Sequence, residues 1–307
     1  MRCKSMFPIK TELLTIQRKI IAFTTTKSWR EIPHVSFTYE PDITDLYNIY
    51  KKEIKPLGLS LNVVILKLII EGLKVAKPMN GEIIYNRVTA KGKVLTKDEI
   101  SISMPMIFPS DEMMTVCLHE VNDMSMSDLR NYIIDLRRRS NSTNTNEVMY
   151  DIAKGQLIEM MKKGHIISQG AKILINQIGS NRPEHLRGKK KREYESIPAT
   201  DRLLPSDLMP GTVTVSNLGS LYPSLRGNLN LLEILPGQVC AIGLDAAQDK
   251  PVITENDKGE KEIAIRKTLG MCIAFDHRAI DFNDIIPFVK HLDGILADPK
   301  QVLAWIK

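Results

Sequence analysis

At 307 residues, 43% of them hydrophobic and 25% charged, the chain can bury one large core or two smaller ones, and its composition argues against a disordered or fibrous protein. No window approaches 18 uninterrupted apolar residues: the most apolar stretch, residues 61–73, is broken by Lys67 and Glu71, which argues against a membrane-spanning helix. The formal net charge of +6 is local, because Arg137–Arg139 and Lys189–Arg192 supply seven positive charges between them, so it does not describe a nucleic-acid surface.

The first residues carry positive charge but no apolar run leading to a small-residue cleavage site, so the cytoplasm is the expected compartment. Residues 33–40 alternate apolar and polar side chains and predict a half-buried strand. A helix is expected next, capped by Asp42 or Thr44, with Leu46, Ile49 and Tyr50 on one face and Pro56 at its end. Ser60 and Asn62 open a second helix to about Ala76, apolar on most sides and therefore a core helix. Short apolar runs at 83–85, 100–104 and 114–118 predict strands, and Met126, Leu129, Tyr132, Ile133 and Leu136 predict a helix over 123–138.

Residues 141–202 differ in character. A polar stretch at 140–146 reads as a linker or helix start. Val148, Ile152, Leu157, Met161, Ile166, Ile173 and Ile178 then recur at amphipathic spacing, and 179–202 is polar and basic. This is either a helical excursion whose apolar face packs on its own protein, or a helix pair that binds a partner or a membrane surface. Strands follow at 212–216, 238–242, 251–254, 262–266 and 268–275 as a second sheet segment, closed by a helix over 282–296. Regular βαβ alternation, G-x-G-x-x-G and Walker sequences are all absent, so a layered mixed sheet of the α+β class is expected. Cys3, Cys117, Cys240 and Cys272 are dispersed, without a C-x-x-C pair or a His at ligand spacing, and predict no metal site.

The segment 275–281, Phe-Asp-His-Arg-Ala-Ile-Asp, carries the chemistry. An apolar strand delivers His277 at its end, and Asp281 follows four residues later in the turn, an arrangement that exposes an imidazole at a sheet edge while a carboxylate tethers the loop. By itself the spacing fits a hydrogen-bonded structural histidine equally well. His34, His119, His165, His185 and His291 have no companion pattern and read as structural or exposed.

Around this segment, residues 18–36 (RKIIAFTTTKSWREIPHVS), 40–46 (EPDITDL), 204–219 (LPSDLMPGTVTVSNLG), 236–243 (PGQVCAIG) and the DHRxxD of 276–281 stand in a familiar order. The chain resembles the catalytic domain of the 2-oxoacid dehydrogenase acyltransferases (E2, the dihydrolipoamide acyltransferase family) over residues 15–138 and 203–307. The resemblance implies a chloramphenicol acetyltransferase-like fold, with residues 1–140 and 203–307 as two parts of one acyltransferase domain and 141–202 inserted between them. It also implies a homotrimer with active sites between neighbouring subunits. Larger assembly through the apolar residues 302–306 is a further implication; those residues could equally fold back on their own core.

By that likeness His277 is the general base that takes the proton of a thiol, so that the thiolate attacks an acyl thioester. A thiol of pKa about 8.5 and an imidazole of about 6.5 are matched well enough for this transfer. Ser216 donates to the resulting oxyanion, and Asp281 holds the loop and the imidazole, with Arg18 as its charge partner. Asn217, Asp276 and Arg278 occupy supporting positions. Coenzyme A and its acyl thioesters are the implied substrates, with no metal, and any lipoyl group is expected on another protein. One departure stands out: the family motif continues with Gly where this chain has Phe282. Glycine permits a positive φ or a close backbone approach, so Phe282 predicts an altered loop or a narrower site. It leaves open a catalytically weak or inactive trimeric scaffold that binds a partner or membrane through its insertion.

Overall fold

The alternating segment at the amino-terminal side becomes β1, His34–Tyr39, and the two continuous apolar runs near the carboxyl end become β7, Cys240–Leu244, and β10, Met271–Asp276, in which every residue is buried. The structure, a computed structural model, describes residues 14–109, 113–162, 185–256 and 258–307. It divides into one unit of residues 1–24 and 142–205 and another of residues 25–141 and 206–307.

In the larger unit, β1, β10, β7, β6 (Val213–Asn217), β4 (Ile102–Ile107) and β5 (Met113–Leu118) form a six-stranded mixed sheet in that order. β6 lies parallel to both β4 and β7, whereas β1–β10, β10–β7 and β4–β5 are antiparallel. Helix α3, Leu61–Val75, lies against α9, Phe282–Ala297; ten α3 residues are buried, and Lys67 among them is neutralised by Glu71 at 2.7 Å. Ser60 caps α3 by accepting from the Val63 N–H at 3.3 Å, and Gly72 gives up its side chain so that Phe288 and Leu292 can seat against the helix. The α4 helix, Met126–Ser140, starts at a Ser125/Asp128 capping box, three residues later than the periodicity suggests. The expected helix before Pro56 is short, α2 over Thr44–Ile49, and continues as a π turn and a 3-10 turn to Leu57.

Two hairpins stand apart from the main sheet. β2 (Gly81–Asn86) pairs only with β3 (Lys91–Thr96), a strand not expected from the sequence because all six of its residues are exposed. β8 (Gln248–Glu255) and β9 (Lys261–Thr268) pair only with each other, so the expectation that they extend the second sheet segment is corrected. Their alternating polar and apolar residues lack the continuous apolar content that a central strand needs on both faces. The carboxyl-terminal segment folds back: Val302 is fully buried and the Ser127 hydroxyl donates to the Ile306 carbonyl at 2.5 Å.

In the smaller unit, α5 (Thr145–Lys162) buries Val148 and Glu147, whose carboxylate accepts from the Leu186 N–H. Tyr150 stacks on His185 at 4.6 Å, Leu203 N–H donates to Thr143 Oγ1 at 2.8 Å, and Arg202 lies over the ring of Tyr194 in the basic α6 helix, Gly188–Glu195. Cys3, His165, Ile166, Ile173 and Ile178 lie outside the described residues, as do the side chains of Leu157 and Met161. Among the described residues no single helix is long and apolar enough to cross a membrane.

Candidate active site

β10 ends at Asp276, and His277 begins the turn that leads into α9. Asp276 is completely buried. It accepts from the Arg278 backbone N–H at 3.0 Å and from the guanidinium through Nε at 2.9 Å and Nη2 at 2.6 Å, and its own N–H donates to the Val239 carbonyl. The Asp276 carboxylate pushes the Arg278 pKa up, so the pair is a permanent ionic staple, covered on one side by the Tyr85 ring 5.7 Å away. A staple between residues on either side of His277 leaves the imidazole one outcome: it projects to solvent, with the Phe275 ring edge-on at 5.8 Å.

The imidazole Nδ1 lies 3.3 Å from the Ile280 carbonyl oxygen. A carbonyl cannot donate, so Nδ1 carries the hydrogen and Nε2 keeps its lone pair facing outward. Asp281 does not touch the ring. Its carboxylate accepts from the Asn283 N–H at 2.8 Å, while the Asp281 N–H donates to Asp284 at 2.9 Å, the capping box that starts α9. The Asp281 carboxylate thus caps α9, and the hydrogen-bond partner of the imidazole is the Ile280 carbonyl. Phe282 takes the first helical position, where no positive φ is needed, and its ring packs edge-on against Phe37 of β1 at 4.9 Å. In this place the side chain adds an aromatic contact to the outer strand.

Ser216 and Asn217 end β6 at the opposite side of the sheet. Asn217 caps the single turn α8, Leu218–Leu221, by accepting from Ser220 N–H at 3.0 Å, and donates through Nδ2 to Asn62 Oδ1 at 2.7 Å. A cleft opens here, lined by Asn62 and Leu66 of α3, Met104 and Pro105 of β4, Asn217 and Ser220. It lies beside the end of β6 and the middle of β4 and is about the size of one water molecule. Asn62 was not singled out as a site residue by the sequence; the only signal was a polar residue inside an otherwise apolar helix start.

Pairing register decides whether these two groups can meet. Ser216 is level with Gly243 on β7, and Gly243 with Cys272 on β10. His277 stands five residues beyond Cys272 and two strands away from Ser216, about 17 Å along the sheet and about 10 Å across it, or roughly 20 Å in all. Within one chain His277 and Ser216 do not form one site. Arg18 is exposed and belongs to the other unit, on α1, Ile16–Glu31.

The cysteine thiols among the described residues are unsuited to acyl chemistry. Cys117, Cys240 and Cys272 are buried, and burial pushes Cys117 up to about 12, Cys272 up to about 11 and Cys240 higher still. Among the described residues no three His, Cys, Asp or Glu side chains gather as metal ligands. His34 is structural: Nδ1–H donates to Ile32 O at 2.8 Å, Nε2 accepts from Ile234 N–H at 3.1 Å, and the ring stacks on Trp29.

Comparison with known proteins accords with this geometry. The profile of the family described as 2-oxoacid dehydrogenases acyltransferase (catalytic domain) matches residues 8–151 and 191–304. The chain is 28% identical over 104 residues to the dihydrolipoyllysine-residue succinyltransferase component of the mitochondrial 2-oxoglutarate dehydrogenase complex of Saccharomyces cerevisiae, covering 34% of this chain and 20% of that protein. It is 31% identical over 103 residues to the dihydrolipoyllysine-residue acetyltransferase component of the pyruvate dehydrogenase complex of Haemophilus influenzae, covering 33% and 16%. The matched stretches thus span about a fifth of these relatives' own length. Among solved structures, Azotobacter vinelandii dihydrolipoamide acetyltransferase superposes with a TM-score of 0.62 at 19% identity, covering 97% of this chain and 96% of that one. A dihydrolipoamide acetyltransferase from Listeria monocytogenes gives 0.59 at 18%, covering 94% of each. At these identities the likeness establishes the fold.

Proposed function

Since the chain belongs to the 2-oxoacid dehydrogenase acyltransferase (catalytic domain) family, we propose that it transfers an acyl group between coenzyme A and a thiol of the dihydrolipoamide class, in sites completed by a second copy of the chain. The observation that carries this reading is the bond from His277 Nδ1–H to the Ile280 carbonyl, which leaves an outward-facing Nε2 lone pair fixed by a buried ion pair on either side of it. Nε2 takes the proton of the acceptor thiol as its sulfur attacks the acyl carbonyl carbon. The tetrahedral oxyanion accepts a hydrogen bond from Ser216 Oγ, a donation of the kind that contributes about 3 kcal/mol. Collapse expels the coenzyme A sulfur, which recovers the proton from His277, so proton and electron pair balance. Since the three described cysteines are buried and pushed up, an external thiol is the fitting acceptor.

In the Azotobacter enzyme a serine, a histidine and an asparagine four positions after the histidine have been investigated for roles in the catalytic mechanism. Ser216 and His277 offer the first two, and Asp281 stands at the same spacing as the third; we assign it to loop anchoring. The roughly 20 Å between Ser216 and His277 favours a site in which one copy contributes the base and its neighbour the serine. That arrangement suits a homotrimer whose contacts are heterologous, and a lipoyl-bearing protein as its partner. Packing of Phe282 on Phe37 supports this catalytic reading over a scaffold with a distorted loop.

Co-expression of His277→Ala and Ser216→Ala subunits tests both parts. Each variant alone should release thiol from acetyl-coenzyme A, with dihydrolipoamide as acceptor, at least about a hundredfold more slowly than wild type. With random mixing, a heterologous interface draws an intact base and an intact serine in about one case in four, so mixed assemblies should recover about a quarter of wild-type turnover. Mixed assemblies as inactive as the parents would remove the shared site, and wild-type turnover by His277→Ala alone would remove the base.

A further inference from the structure

We propose that Tyr85, on the β2–β3 hairpin, is a positioning residue for the His277 imidazole and acts through Arg278. The placement is a property of a single chain; its use in acyl transfer rests on the reading of His277 as a base.

The bonds of His277 itself show why such a residue is needed. Its backbone N–H reaches the Pro33 carbonyl at 3.3 Å, and Nδ1 lies 3.3 Å from the Ile280 carbonyl, both at the long end of the N–H···O range. Neither bond is tight, so the imidazole depends on what holds Asp276 and Arg278 to either side of it. The in-plane edge of the Arg278 guanidinium is taken by the Asp276 carboxylate, through Nε at 2.9 Å and Nη2 at 2.6 Å. Its face remains, and with 25% of the side chain exposed an in-plane partner does not stop the guanidinium from tilting outward. The Tyr85 ring closes that direction: Arg278 Cζ lies over it, 5.7 Å from the centroid. A guanidinium is attracted to the negative face of an aromatic ring and stacks on it. The exposed Glu31 carboxylate lies within electrostatic reach of Arg278 and gives a guanidinium released by the ring another partner to turn to.

The hairpin holds that ring in place. At its base, buried Asn80 donates through Nδ2 to the Lys97 and Glu99 carbonyls at 2.7 and 2.8 Å. Gly81 lies beside Val239, whose carbonyl accepts the Asp276 N–H at 2.9 Å, so the hairpin and the turn share a neighbour. Further along β2, Tyr85 stands opposite Gly92. A Cβ at position 92 would sit 3.1 Å from Tyr85 Cδ2, so the ring needs the space that a side chain there would fill. β2 and β3 pair with no strand of the main sheet, and every β3 residue is exposed, so burial does not account for a ribbon that is marginal by itself. Presenting Tyr85 to Arg278 does.

The test compares the full chain as wild type, as Tyr85→Phe, which keeps the aromatic face, and as Tyr85→Leu, which keeps apolar bulk without it. Tyr85 is 42% exposed on a ribbon outside the main sheet, so both variants should melt as wild type does by circular dichroism. The first readout is the tautomer of the neutral His277 ring, by nitrogen NMR of histidine-labelled protein, with the signal assigned by its loss in His277→Gln. Wild type and Tyr85→Phe should hold the Nδ1–H form that bonds to Ile280, and Tyr85→Leu should show a mixture of both tautomers. The second readout is acyl transfer from acetyl-coenzyme A to dihydrolipoamide. Tyr85→Leu should lose about tenfold in kcat, less than the roughly hundredfold of an about 1 Å misplacement, with KM within about twofold. Tyr85→Phe should stay within about twofold of wild type in both. A Tyr85→Leu ring held in the Nδ1–H form, or a wild-type ring that is not, overturns the proposal, and so does a Tyr85→Phe as disturbed as Tyr85→Leu. A mixed tautomer with unchanged kcat, or a wild type without transfer, would remove His277 as the base and leave its placement by Tyr85 standing.

Discussion

Asp276→Asn is the substitution that most directly probes how the fold presents its base. The side chain keeps its volume and one acceptor oxygen but loses the charge that three Arg278 contacts use, at 3.0, 2.9 and 2.6 Å. Breaking a fully buried pair by neutralising one partner costs about 3–5 kcal/mol. Here Asp276 has no exposure, but the Arg278 side chain keeps 25%, so water takes over part of the lost partnership and a fall of about 2–3 kcal/mol is expected. The functional effect has its own signature. Arg278 freed from the staple lets the turn around His277 relax, and a misplacement of about 1 Å costs on the order of a hundredfold in rate, borne by kcat more than by KM. Urea unfolding gives the first quantity and acyl-transfer kinetics at saturating thiol the second. An Asp276→Asn protein within about 0.5 kcal/mol of wild type and equal to it in kcat would refute the claim that this ion pair positions the imidazole.

Two further substitutions probe the frame of the larger unit. Gly72→Ala gains about 1 kcal/mol of helix propensity, yet its Cβ would sit 2.6 Å from the ring of Phe288, which is fully buried and cannot swing aside. Overpacking costs about 1–3 kcal/mol, so net destabilisation of about 1 kcal/mol is expected in urea melts, and a stabilised variant would mean that α3 and α9 can slide apart. Burial raises the Asp42 pKa, but bonds from the Thr44 hydroxyl and the Arg266 guanidinium outweigh it and hold the carboxyl below the usual carboxylate range. A depressed folded pKa stabilises above the unfolded value of about 3.9 and is lost as pH falls through the folded one, so the stability that the Asp42–Arg266 pair lends to β9 should drop in acid. Asp42→Asn should be less stable than wild type at pH 7 and lose less between pH 5 and pH 3; parallel pH profiles would assign the acid sensitivity to other carboxylates.

Much of the frame was legible because burial leaves a pattern. β7 and β10 are continuous apolar runs, as strands covered on both faces must be, and α3 announces itself by apolar residues on most sides after a capping serine. β3 escaped because every residue in it is exposed, so no apolar period marks it. The β8–β9 hairpin was legible as strands but not as a ribbon separate from the main sheet. Period-2 alternation reports that one face is apolar, and cannot report that Ile253, Ile263 and Ile265 face outward. In the site, the strand-end His277 was visible, whereas its real tether was not, because a backbone carbonyl at Ile280 carries no side-chain identity to read. The Asn62–Asn217 bond joins residues 155 apart, and nothing local to either predicts it.

Strand direction, more than any single side chain, sets the terms of the chemistry. β6 and β7 run parallel and β10 runs against them, so the turn after β10 emerges where β6 and β7 begin, while Ser216 and Asn217 emerge where β6 ends. A substitution can remove His277 or Ser216, but none can bring them to the same edge, since strand direction and register place them at opposite ends of the sheet. A unit built this way separates His277 from Ser216 as a consequence of topology. Catalysis through both groups then requires that the far edge of one sheet be brought to the near edge of another, which makes the subunit contact a part of the active site. On that argument the Asp276–Arg278 staple sets what the His277 edge of the sheet presents.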